Sequence, residues 1–347
     1  MQERIVAILT EAVERGTAYV SGGDIARQLG ISRSAVWKHM EALRGGGAVV
    51  EAVPGKGYRL TNSEDVLLPG AVNVETKVIG REYVYLPEID STNSEAKRRI
   101  RAGCSDGLVL VAENQTQGRG RMGRPWYSVA GKNLAFSVVL FPQGIPLSRA
   151  SLLTPMSSVA VYRAIQEVTG LSLELKWPND LVIAGRKAGG ILLEAGGEMD
   201  HLRYAVIGIG INVNLTQREI PAAVADTATS LLLAGGKSVS RRQLLGEILV
   251  HLDKYYAEFC SGGSQSILSE YVELCSTLGK EITFLWRGQE RSGRAVSIAH
   301  DGALIVITDS GEMLTLRAGD VHCLQTSGNR GSRSPVLRRA RSSGLDS

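Results

Sequence analysis

The sequence predicts an α+β protein built of three units. Three observations predict it: helical periodicity with turn-and-wing punctuation at the amino end, strands mixed with helices through the middle, and short β-type runs broken by glycines towards the carboxyl end. With 347 residues, 44% apolar and 21% charged, the chain is long enough to bury a real core. The expected limits are residues 1–65, 71–270 and 274–325. A tail over residues 327–347, rich in Ser, Gly and Arg, holds too few apolar residues to order itself.

In the first unit Ile5, Ile8, Leu9, Ala12 and Val13 share a helical face that ends near Gly16. Asp24 to Leu29 then form a short helix closed by Gly30, and Ser32 is placed to cap a third helix running to about Arg44, which is helix-turn-helix spacing. Gly45-Gly46-Gly47 breaks the chain, Ala48-Val49-Val50 reads as a strand, Pro54 to Leu60 as a hairpin wing, and Thr61 to Pro69 as a linker. The third helix would present Arg33, Ser34, Trp37 and Lys38, and the wing Lys56 and Arg59, a set suited to phosphates and a few base edges. DNA binding is therefore expected of a winged helix-turn-helix, although Glu3, Glu11, Glu14, Glu41 and Glu51 keep it only weakly basic.

In the middle unit Tyr83–Leu86, Leu108–Ala112, Leu134–Leu140, Ile191–Leu193 and Ala205–Ile211 read as strands, and Leu152–Val168 and Arg241–Cys260 as helices. Ile282–Leu285 and Ala303–Thr308, set among glycine turns, suggest a small β-barrel at the end.

No apolar run is long enough to span a bilayer, and Met1-Gln2-Glu3-Arg4 is an amphipathic start rather than a signal peptide, so a cytoplasmic protein is expected. Cys104, Cys260, Cys275 and Cys323 show no C-x-x-C spacing and the histidines lie far apart, so neither disulfides nor a protein-held metal is expected. A net charge of +4 makes local distribution the useful quantity.

That distribution singles out Gly118-Arg119-Gly120-Arg121-Met122-Gly123-Arg124, because from Asn114 through Gln166 there is no Asp or Glu. Glycines let backbone N–H groups approach a ligand, and arginines offer planar forks matched to phosphate or carboxylate. The run spells G-x-G-x-x-G after a strand, but Arg124-Pro125-Trp126 opens no helix and no acid follows to hold a ribose, which argues against a dinucleotide fold. Other clusters accompany it. Asp90-Ser91-Thr92-Asn93 follows a strand, with Thr92 and Glu95 spaced as a capping box. Lys176-Trp177-Pro178-Asn179-Asp180 begins a strand, Arg186-Lys187-Ala188-Gly189-Gly190 follows on its hairpin, and Gly208-Ile209-Gly210-Ile211-Asn212 ends another.

In this order the clusters resemble the biotin–protein ligases, and with the winged helix the chain is similar to the bifunctional ligase and biotin operon repressor type from Gly22 to about His322. The resemblance implies a central biotin/lipoate ligase-like catalytic domain and a carboxy-terminal SH3-like domain. It implies adenylation of biotin by ATP with Mg²⁺, then transfer from biotinyl-5′-AMP to a lysine of an apo biotin carboxyl carrier protein. It further implies repression at operator DNA by a homodimer bound to biotinyl-AMP, with no membrane partner. Carried over by motif, Ser91, Thr92 and Gln115 would meet the neutral ureido head, with Asn93 and Gly120 also among the cofactor-binding residues, and Trp126 would wall the apolar tail. Arg119, Arg121 and Lys187 would face the carboxylate and α-phosphate, with Asn179, Asp180 and Asn212 near the nucleotide or the incoming amine. Family members often end in a short basic sequence, whereas here Gly319-Asp320-Val321 leads into His322-Cys323-Leu324. Two other readings stand beside this one: a lipoate- or octanoate-type protein ligase, and a biotin-sensing repressor without catalysis.

Overall fold

The structure is a computed structural model and describes residues 1–16, 19–45, 49–60, 65–72, 74–198 and 200–324. Gly46-Gly47-Ala48, the first half of the expected linker (61–64) and the expected tail (327–347) lie outside the described residues.

The amino-terminal unit is α1 (Gln2–Glu14), α2 (Gly22–Leu29), α3 (Arg33–Gly45) and a hairpin of β1 (Val50–Val53) with β2 (Gly57–Leu60). Helix α2 starts two residues before the expected Asp24 because Ser21 is its cap, accepting from the Asp24 N–H at 3.0 Å. Gly30 closes it in the left-handed conformation, and Ser32 Oγ accepts from Ala35 N at 3.1 Å to start α3. Val20 and Tyr58 exchange backbone hydrogen bonds at 2.9 Å, which ties the wing to the segment before α2. Only glycine fits at position 57 there: φ is 116° and a Cβ would stand 2.1 Å from Val20 O. The core of this unit includes Ile5, Leu9, Ile25, Val36, Met40 and Leu60, joined by Leu68 and Ala71. The second half of the expected linker is thus pinned: Leu67 is buried in the large core, Leu68 in the amino-terminal one, and Asp65 is paired with Arg241.

The middle unit is a seven-stranded sheet of order β3-β4-β5-β9-β8-β7-β6. Its strands are β3 (Tyr83–Ile89), β4 (Val109–Gln115), β5 (Asn133–Leu140), β6 (Glu174–Lys176), β7 (Asp180–Ile183), β8 (Arg186–Glu198) and β9 (His201–Asn212), and only β3 with β4 is a parallel pair. Alternation divides the side chains between the two faces. Leu108, Leu110, Val139 and Val206 pack with Ala96 of α4 (Thr92–Ala102), whereas Val109, Val111, Val138 and Ile207 join the core under α5 (Leu153–Thr169) and α7 (Arg241–Cys260). Strand β5 is buried along its whole length, which explains its largely apolar run, interrupted by Ser137. Two short helices, α6 (Leu231–Gly235) and α8 (Ser264–Leu274), and the full length of β8 go beyond the expected elements.

The last unit is an antiparallel five-stranded sheet of order β13-β12-β11-β10-β14, from β10 (Glu281–Trp286), β11 (Gln289–Ile298), β12 (Leu304–Thr308), β13 (Met313–Leu316) and β14 (Val321–Cys323). Among the described residues no pairing of β13 with β14 closes it into the expected barrel. It docks on the middle unit where Trp177 donates from its indole to Gly302 O and from its backbone to Thr277 Oγ1, both at 3.0 Å. No described helix is long and apolar enough to cross a membrane, and the four cysteines are free thiols.

Candidate active site

A cavity of about 490 Å³ opens between the ends of β4, β5 and β9, the β6–β7 turn, the β7–β8 hairpin and the arginine loop. Ser91, Thr92, Asn93, Gln115, Arg119, Gly120, Arg121, Trp126, Asn179, Asp180, Lys187 and Asn212 all line it. The structure therefore brings together every residue expected there, from segments far apart in the chain.

One end is polar, uncharged and buried. Ser91 is the residue before α4 and Thr92 is already the first helical residue, so the expected Thr92/Glu95 capping box does not form. Glu95 instead pairs with Arg98 and Arg99 at 2.7 Å each, and Thr92 turns inward, donating from its backbone N to Gln115 Oε1 at 2.8 Å. Ser137 on β5, not anticipated, lies 2.7 Å from Thr92 Oγ1 and 2.6 Å from Asn93 Oδ1. Asn93 Nδ2 donates to Glu194 Oε2 at 2.9 Å. Burial pushes the Glu194 carboxyl up, but hydrogen bonds from Lys97 and Asn93 outweigh it and leave the group below its usual range.

Glycines of β9 make room for this end. A Cβ at Gly208 would meet Asn93 Oδ1 at 2.2 Å, and one at Gly210 would meet the Trp126 indole at 2.6 Å. The Trp126 indole N–H is buried without a partner among the described residues, so it is a donor in hand for a ligand.

The other end is cationic. Arg121 donates to Asn179 Oδ1 and to Gly319 O, each at 3.1 Å, and stands 3.5 Å from Asp320, which also pairs with Arg124. Arg119 donates to Ser94 Oγ at 3.1 Å, and Lys187 pairs with Asp180 across the β7–β8 hairpin. Only a single 3-10 turn, Arg121–Gly123, follows the glycines, so no helix N-terminus is offered to a dinucleotide. Asn212 differs from its neighbours: its amide accepts from Asn133 Nδ2 at 3.0 Å and donates to Thr229 O at 2.9 Å, so both ends are committed to holding the wall. Asp320 and His322 also line the cavity, although the unusual carboxyl-terminal sequence had put a contribution from that end in doubt.

On the amino-terminal unit, Ser34, Trp37 and Lys38 are exposed on α3, Trp37 to 55%. Lys56 and Arg59 converge over the Tyr19 ring at 5.7 and 5.4 Å from its centre, a platform the sequence did not announce. Arg33 leans back towards α2, where a Cβ at Gly23 would be 2.7 Å from its guanidinium.

Residues 85–212 match the biotin/lipoate A/B protein ligase family, residues 2–59 an HTH domain, and residues 277–322 the biotin protein ligase C terminal domain. The chain is 35% identical to the bifunctional ligase/repressor BirA of Bacillus subtilis, over 90% of this chain and 95% of that protein. To BirA of Escherichia coli it is 30% identical, over 89% of this chain and 94% of that one. Among solved structures it is similar to the biotin protein ligase of Aquifex aeolicus in complex with biotin and ATP, with a TM-score of 0.61 and 30% identity over 71% of this chain and 100% of the other.

Proposed function

The chain belongs to the biotin protein ligase family, and on that premise we propose how its residues make biotinyl-5′-AMP, pass biotin to a carrier lysine and act on DNA. It is a biotin ligase that uses ATP and carries a repressor-type helix-turn-helix domain. The observation that carries the residue-level reading is the polarity of one cavity: uncharged polar groups at Ser91, Thr92, Asn93 and Gln115, backed by Ser137 behind Thr92, and cations at Arg119, Arg121 and Lys187. Biotinyl-AMP has the same polarity, a neutral ureido head and an anionic phosphate.

In the first step a biotin carboxylate oxygen attacks the α-phosphorus of ATP and pyrophosphate leaves. Two anions must meet, so Lys187 and Arg121 offset their repulsion and the charge that grows at phosphorus. Trp126 closes the apolar side and offers its indole N–H to the ligand. In the second step the ε-amine of the carrier lysine attacks the acyl carbon, AMP leaves, and Asp180 would take the amine's proton.

Mg²⁺ would arrive with the phosphates of ATP, and Asp180, a carboxylate of the cavity wall, would add a protein oxygen. Among the described residues the three-ligand cluster of Glu167, Glu247 and His251 is on α5 and α7, none of it lining the cavity. The carboxy-terminal sheet would be an SH3-like domain. The carrier would be an apo biotin carboxyl carrier protein, and a homodimer formed on biotinyl-AMP would bind operator DNA through α3 and the wing.

The test is incubation with MgATP, radiolabelled biotin and an apo carrier domain, beside radiolabelled lipoate and octanoate. Label should pass from biotin alone. Transfer of lipoate instead would move the chain to the other branch of its fold, and no transfer with tight biotin binding would leave a sensor without catalysis.

A further inference from the structure

Arg241, the first residue of α7 and 4% exposed, stands between the cavity and the amino-terminal unit. Towards the cavity, its Nη1 donates to Glu113 Oε1 at 2.7 Å and to Asn133 O at 3.1 Å. Towards the amino-terminal unit, its backbone N donates to Asp65 Oδ1 at 2.6 Å and its Nε to Asp65 Oδ2 at 2.7 Å.

Each partner leads onward. Glu113 lies on β4 two residues before Gln115 and also accepts the N–H of Gly131, in the segment that leads from the arginine loop into β5, at 2.5 Å. Asn133 holds Asn212 in the cavity wall at 3.0 Å. Asp65 is followed by Leu67, buried in the large core, and by Leu68, buried with Leu60 and Ala71 in the amino-terminal core. A buried guanidinium satisfied in this way has a fixed fork geometry, and moving either carboxylate would leave charge unpaired away from water. A shift of the loop or of the β4 end is therefore carried to Asp65 rather than absorbed.

We propose that Arg241 is a positioning residue that couples ligand occupancy of the cavity to the amino-terminal DNA-binding unit, through Glu113 and Asn133 on one side and Asp65 on the other. The proposal rests on the ligase/repressor reading above and names the residues by which its two halves communicate.

The experiment compares the full-length chain with Asp65→Asn, Glu113→Gln and the double variant, with and without biotin and MgATP. One readout is hydrogen exchange at the amides of Leu67, Leu68 and Ala71. A second is gel-shift affinity for a genomic DNA fragment selected by the wild-type protein in the presence of biotin and MgATP. Couplings between sites commonly amount to about 5- to 150-fold. In the wild type, ligand should slow exchange at these amides and raise DNA affinity within that range. Asp65→Asn should form biotinyl-AMP at a rate within about twofold of wild type, yet lose both responses, and Glu113→Gln should raise KM for biotin more than it lowers kcat. A double variant no worse than Asp65→Asn in either response would place both residues on one route. If a variant does not fold, Arg241→Lys, which keeps the charge and loses the fork, is read in the same way. Wild-type responses retained in both single variants overturn the proposal, as does a wild type whose exchange at these amides ignores ligand. Failure to select any DNA fragment overturns the repressor reading instead, and the exchange data then decide the coupling by themselves.

Discussion

In the proposed reaction Lys187 would carry the greatest demand of any residue in the cavity, since the charge it would face exists mainly while the α-phosphorus is under attack. Its ammonium is already held by Asp180, so the cation is positioned before substrate arrives. Lys187→Ala should therefore slow biotinyl-AMP formation by ~100-fold or more in single-turnover experiments while changing biotin binding little. A wild-type single-turnover rate would remove Lys187 from the chemistry. Arg121 has a different task. It bridges Asn179 on one side and Gly319 and Asp320 on the other, so it would close the cavity as well as face the phosphate of the proposed intermediate. Arg121→Gly should make biotinyl-AMP and release it, and the free mixed anhydride should label lysines of a bystander such as serum albumin. Filter trapping that shows wild-type retention of the intermediate would mean that the loop does not grip. Little of this pairing was legible in the sequence. The arginines and Lys187 announce an anion by type and local composition, but the bond from Arg121 to Gly319 spans 198 residues, and no local period encodes it.

Strand β9 and helix α4 act together as an element pair, because Gly208 exists to admit Asn93. A Cβ there would stand 2.2 Å from Asn93 Oδ1, and Asn93 cannot retreat without giving up Ser137 and Glu194. Gly208→Ala should leave the sheet folded and raise KM for biotin, since a disrupted buried polar contact costs about 1–3 kcal/mol, or roughly 5- to 150-fold. An unchanged KM would separate the α4 end from the ureido site. The same helix carries an acid-sensitive strap: a hydrogen bond from Arg98, followed by the Ser91 N–H, holds the Asp90 carboxyl down at about 2 from its ordinary 3.8. A depressed carboxylate stabilises the fold above its unfolded pKa, and that contribution is lost as pH falls from about 3.8 towards 2. Asp90→Asn should accordingly lower the thermal midpoint at pH 7 and lower it less near pH 2. Equal shifts at both would assign the effect to packing. Strands β4, β5 and β9 were readable because a two-residue alternation or an unbroken apolar run is a local signal. The start of α4 was misplaced by one residue because Ser91 and Thr92 both suit a cap, and only the pull of Gln115 on Thr92 decides between them. Nothing local marks Ser137 as the partner of Thr92 and Asn93, since it sits between apolar neighbours in the strand.

For the whole molecule, the boundary between the DNA-binding unit and the ligase is set by charge and burial rather than by composition. Residues 61–69, which follow the hairpin wing, read as a linker, yet Asp65 belongs structurally to Arg241, 176 positions away, and Leu67 to the large core. The site of truncation therefore matters. A chain that starts at Thr61 keeps Asp65 and all the cavity residues, which lie from Ser91 onward, so it should stay folded and adenylate biotin while losing DNA binding. A chain that starts at Val66 removes the carboxylate that receives the Arg241 Nε and backbone N–H, leaving Glu113 and Asn133 O to satisfy a guanidinium that is 5% exposed. Removing one partner of a buried ion pair typically costs about 3–5 kcal/mol, a large fraction of the stability of an ordinary domain. Thermal unfolding of the two truncated proteins at pH 7 should place the shorter one clearly lower, with its biotinyl-AMP formation recovering on cooling if the loss is one of stability alone. Equal midpoints would show that Asp65 is dispensable to the ligase and would confine its role to the attachment of the DNA-binding unit.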